Sequence, residues 1–71
     1  MKFMCFTDRE SCSGLTAPNI IGSPLTAASW YLDTLAPEER SLVHHVEVLW
    51  NDGEDHRQVY QVTEAARLVA L

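Results

Sequence analysis

Two runs of alternating residues, Val43–Trp50 and Gln58–Thr63, flank the pentapeptide Asn51-Asp52-Gly53-Glu54-Asp55. No other feature constrains the fold as much. Alternation with a period of two marks a strand with one buried face, and an Asn/Asp/Gly cluster between two such runs marks a hairpin turn. In the first run Val46, Val48 and Trp50 share one face, opposite His45, Glu47 and Leu49. In the second, Tyr60 and Val62 oppose Gln61 and Thr63. Parity decides the register. A two-residue Asp52-Gly53 turn pairs Val48 with Arg57 and throws the two apolar sets onto opposite faces of the sheet. Moving the pairing by one residue, so that Trp50 faces His56 or Gln58, restores a common face. The hairpin loop should therefore hold three to five residues, with Gly53 in a left-handed conformation.

The segment Lys2–Thr7 is short and aromatic-rich, and its central four residues are apolar. It reads as a strand with two apolar faces, Phe3/Cys5 and Met4/Phe6, which implies cover on both sides. Residues 8–22 lack any period and read as a long loop, pinned to the core by Leu15, Ile20 and Ile21. Ser23-Pro24 then opens a helix, Ser as N-cap and Pro at the first helical position. Leu25, Ala28, Leu32 and Leu35 follow as one stripe. Pro37 stops that helix, and Pro37-Glu38-Glu39-Arg40 suits a second short helical turn with acids at its start. Thr63–Leu71 resembles a capped C-terminal helix, too short to persist without docking. The expected fold is α+β: one small domain over 1–71 in β-α-β-β-α order, a three-stranded, mostly antiparallel sheet packed on one main helix.

Size and charge narrow the function. A chain of 71 residues buries only about 60% of its unfolded surface, a poor basis for a deep catalytic cleft. With ten acidic and five basic residues the formal charge is −5. Lys2, Arg9, Arg40, Arg57 and Arg67 are scattered, so no basic stripe for nucleic acid exists. No apolar run reaches the ~18 residues of a membrane span. The apolar stretch at the N-terminus is too short for a secretory signal, so the expected location is the cytoplasm, with reduced cysteines.

Three residue sets are candidates for function. Cys5, Cys12, His44, His45 and His56 are possible zinc ligands, but their spacing lacks the paired Cys-x2-Cys or His-x3-His arrangement of structural sites. Adjacent His44 and His45 point to opposite sides of a strand. Cys12 beside Glu10 is a poor nucleophile, because a neighbouring carboxylate raises a thiol pKa, and no glycine-rich phosphate loop is present. These arguments weigh against an enzyme, a cofactor or a bound metal. The third set is an interaction surface. Trp30 lies roughly 140–160° around the helix from the leucine stripe at 100° per residue. With Ala27, Thr26 and Thr34 around it, Trp30 reads as an outward anchor. The acids Glu38 and Glu39, and Asp52, Glu54 and Asp55 at the hairpin tip, would steer a basic protein partner toward it.

In size, charge and lack of catalytic residues the chain is similar to the small acidic inhibitors that phages and mobile elements encode, including anti-CRISPR proteins and nucleic-acid mimics. The likeness covers no specific motif, and no residue roles carry over from it. It implies a non-enzymatic protein that inhibits or modulates a larger basic or nucleic-acid-binding protein. One alternative is a small structural or regulatory subunit that self-associates; another is a Cys/His zinc module. The two apolar faces of Lys2–Thr7 favour a homodimer with Met4 and Phe6 at its interface, because one helix covers only one face of a sheet.

Overall fold

The computed structural model describes residues 1–9 and 14–71. It contains strands β1 (Met4–Thr7) and β2 (Leu15–Thr16), helices α1 (Pro24–Thr34) and α2 (Pro37–Arg40), then strands β3 (His45–Asn51), β4 (Asp55–Val62) and β5 (Leu68–Ala70). The strands form one antiparallel sheet in the order β2-β1-β3-β4-β5. The α+β class stands, but the sheet has five strands rather than three, and there are two helices before β3.

The central hairpin has the register that parity demanded. Trp50 pairs with His56, Val46 with Tyr60, and Asn51 with Asp55, leaving the three-residue loop Asp52-Gly53-Glu54. Gly53 has φ +113°, a region that side chains rarely adopt. The Asn51 side chain braces the turn, accepting from the Gly53 N–H at 3.0 Å and donating to Asp55 Oδ1 at 2.7 Å.

The C-terminal segment corrects the helical expectation. Thr63 N–H donates to the Arg67 carbonyl at 2.9 Å, and the chain reverses through Glu64-Ala65-Ala66 with Ala66 at φ +60°. Leu68 then pairs with Val62 and Ala70 with Tyr60. The helical propensity of eight residues is small, whereas pairing with the open side of β4 satisfies backbone groups and lets Leu68 pack against the core. The expected loop 8–22 also yields a strand: Leu15 pairs with Cys5 and Thr16 with Met4. Its anchor is Ala17, 3% exposed, with Ile21 packed against the core; Leu15 and Ile20 are exposed.

Helix α1 begins as the sequence indicates. The Ser23 hydroxyl accepts from the Thr26 N–H at 3.2 Å, and Pro24 follows. The buried face, however, is Ala27, Ala28, Tyr31 and Leu32. Leu25, expected in the core stripe, is 49% exposed. The rotation follows from size. Ala27 and Ala28 let the helix approach the sheet closely enough for the Cys5 thiol to reach the Ala27 carbonyl at 3.6 Å. Tyr31 and Leu32 fill the space one turn on. Phe3, Cys5, Val46, Val48 and Tyr60 complete the core from the sheet. Asp8 ties β1 to the start of β3, its Oδ1 accepting from the N–H groups of His44 and His45 at 3.1 and 3.3 Å.

Candidate interaction surfaces

Side chains alternate across each strand, so the register assigns every one of them to a face. The face toward α1 carries Cys5, Val46, Val48, Trp50, Tyr60 and Val62. The opposite face carries Met4, Phe6, Leu49, Val59, Val69 and Leu71, with Glu47 and Arg57 among them. Both helices precede β3, and α1 packs on β1, β3 and β5 from the core side. Among the described residues no element covers the second face. Met4, Val69 and Leu71 are 46%, 48% and 67% exposed. Leu49, Phe6 and Val59 are half-buried by their neighbours in the sheet.

This open face has relief. Arg57 Nε donates to Glu47 Oε2 at 2.6 Å, a diagonal pair across β3 and β4. Arg57 borders two depressions. One is lined by Lys2, Met4, Thr16, Leu49 and Asp55, the other by Phe6, Asp8, His45, Glu47 and Val59. Phe6 lies across the strand from Gly14, and a methyl group built at Gly14 would fall on the Phe6 ring, 2.6 Å from Cδ1. The ring therefore shields the glycine backbone, and Gly14 gives Phe6 room to lie flat.

The acidic residues do not form one surface. Asp52, Glu54 and Asp55 are exposed at the hairpin tip, beyond Asn51. Glu38 and Glu39 lie in α2, before the other end of β3. Six strand steps of about 3.4 Å put these ends roughly 20 Å apart. At the tip His56 stacks on Trp50, with ring centroids 5.2 Å apart and planes 17° apart. Its Nε2 lies 2.8 Å from Asp52 Oδ1, and this hydrogen bond holds the Asp52 carboxyl below its ordinary pKa.

Trp30 does not project fully outward as its position on the helical wheel suggested. It is half-buried and packs against the core. Turning α1 toward Tyr31 brings its neighbour Trp30 onto the margin of the buried face, a shift that the leucine spacing did not signal. Thr34 is exposed, but its hydroxyl donates to the Tyr31 carbonyl of its own helix at 2.6 Å.

The Cys/His set is dispersed. Cys5 is fully buried, and loss of hydration pushes its thiol up to about 11. His44 pairs with Asp8 at 3.3 Å, His45 lies on the open face, and His56 sits at the tip. Among the described residues no three His, Cys, Asp or Glu side chains are grouped to hold a metal ion; Cys12 lies outside the described residues. Burial raises the Asp8 carboxyl, but the N–H groups of His44 and His45 outweigh that effect and leave its pKa lowered.

Fold and surface together define a small α+β protein in which α1 packs on one face of an antiparallel sheet. No helix among the described residues is long and apolar enough to cross a membrane. Comparison of the chain with family models, curated proteins and solved structures gives no match.

Proposed function

We propose that the protein acts by binding another protein surface, without catalysis, and that the open face of the sheet is where it binds. One observation carries this reading. Met4, Leu49, Val69 and Leu71 lie on a sheet face that no described element covers, while α1 packs on the other side. Apolar side chains left exposed together on one face, here around the Glu47–Arg57 pair, are a feature of interaction sites in small proteins. Inhibition or modulation of a larger protein, the role implied by the acidic profile, is compatible with docking through such a patch.

A photo-crosslinking amino acid placed at Met4, with Ser29 on exposed α1 as the control position, tests the reading in the source cells. The expected result is one dominant adduct from position 4 that position 29 does not give. Equal, diffuse labelling from both positions would refute it. A second reading, steering of a basic partner, draws on the hairpin tip, where Asp52, Glu54 and Asp55 project into solvent. It requires an association rate that falls steeply with salt. Association indifferent to salt and to neutralising those three acids removes it.

A further inference from the structure

We infer that the occupant of the open sheet face is a second copy of this chain, in a weak two-fold dimer of facing sheets. The inference rests on the reading of that face as the binding surface and adds what it binds.

The charge distribution points to self-pairing. Lys2 and Arg57 on this face stand against Glu47 and Asp55, with Asp8 at the rim beside His44. The face is close to neutral, although the chain carries −5. Asp33, Glu38, Glu39, Asp52, Glu54 and Glu64 belong to the helices, the tip and the last turn. Two copies meeting through those regions bring like charges together, which is destabilising. Meeting through the open face avoids that. A strongly basic partner, by contrast, would find its complement in the acidic regions and not on this face.

The pair at its centre is self-complementary. Consider a two-fold axis lying between the facing sheets, at right angles to the line joining Glu47 and Arg57 and passing over its midpoint. It sets Glu47 of each copy against Arg57 of the other and converts one diagonal pair into a four-charge ring. Met4, Leu49, Val59, Val69 and Leu71 then surround that ring with apolar contact. Sheets that pack face to face lie about 10 Å apart, and a closed two-fold arrangement leaves no free copy of the face to continue into a filament.

Area sets the strength. The 24 strand residues, at about 3.3 by 4.8 Å each, cover roughly 400 Å² in projection. Two copies therefore bury on the order of 800 Å² before relief is counted. That is below the roughly 1,200 Å² of stable complexes and in the range of weak, transient ones, so the dimer should dissociate at micromolar or higher concentration rather than be obligate.

Sedimentation of the full chain from about 5 μM to 1 mM tests the inference. The apparent mass should rise from 8.0 kDa toward twice that value. Glu47→Arg and Arg57→Glu alone each place four like charges at the centre, and each should weaken the dimer at least tenfold. Arg57 is exposed and Glu47 half-buried, and circular dichroism of each variant checks that the fold is kept. An equimolar mixture of the two variants should restore the dimer, because each supplies the charges the other lacks. A wild-type chain that stays at 8.0 kDa at 1 mM overturns the inference, as does a dimer indifferent to both variants or a mixture that fails to reassociate. A monomeric chain whose Met4 crosslinks to a different protein overturns only the identity of the occupant. A monomer without any position-specific adduct overturns the binding surface as well.

Discussion

Replacing Asp8 with Ala should uncouple the end of β1 from the start of β3. One carboxylate there receives two backbone N–H groups, at 3.1 and 3.3 Å, from residues 36 and 37 positions further along the chain. Hydrogen bonds to a charged group contribute about 1.5–3 kcal/mol when protected. The Asp8 side chain is 32% exposed and its His44 partner 76%, so solvent screening reduces that amount and makes the ion pair itself minor. A loss of about 1–2 kcal/mol in total is expected, against roughly 4–10 kcal/mol for a domain of this length. The pH dependence has a definite sign. The folded pKa of Asp8 lies below its ordinary value, so the unfolded chain binds more protons in acid and stability falls as pH falls. The contribution is complete above about pH 4, the ordinary range of Asp, and disappears as pH drops through the lowered native value. Asp8→Asn keeps an acceptor oxygen without the charge, so its deficit should be about half that of Asp8→Ala. Urea unfolding of wild type and both variants at pH 7 and at pH 2.5, followed by circular dichroism, checks all of this. A wild-type-to-Ala gap that is the same at both pH values, or absent at pH 7, would refute the reasoning.

Two further substitutions probe where the structure departs from local expectation. Trp30→Ala should cost about 2 kcal/mol in urea unfolding, some half of the ~3–5 kcal/mol of a fully buried aromatic, because Trp30 is half-buried against the core; a change below about 0.5 kcal/mol would show it to be free of the core. Ala66→Gly should stabilise the protein, since the left-handed conformation costs a non-glycine residue about 1–2 kcal/mol and Ala66 sits at φ +60°. Set against the ~0.5–1 kcal/mol of extra chain entropy of glycine, the net gain is about 0.5 kcal/mol, visible as a thermal midpoint raised by roughly 2–4 °C; a lowered midpoint would contradict the turn geometry.

Much of the fold was legible wherever the signal is local and repeated. The hairpin register followed from parity alone, because a one-residue slip would have moved every side chain of a strand to the wrong face. The helix start followed from Ser23 and Pro24, and its stop from Pro37, since these residues act on their own backbone. The apolar character of both faces of β1 was also readable, and with it the question of what lies over Met4 and Phe6. Three things needed the tertiary structure. The segment after Thr63 is a strand because β4 had an edge to pair with, an opportunity that helix propensity does not record. The buried face of α1 turned toward Tyr31 because Ala27 and Ala28 permit close approach to Cys5, and this also drew Trp30 onto the core. The open face itself depended on α1 packing against β1, β3 and β5 from one side of the sheet. Sequence periodicity tells which residues share a face; only the packing of elements separated along the chain determines which face is left to water.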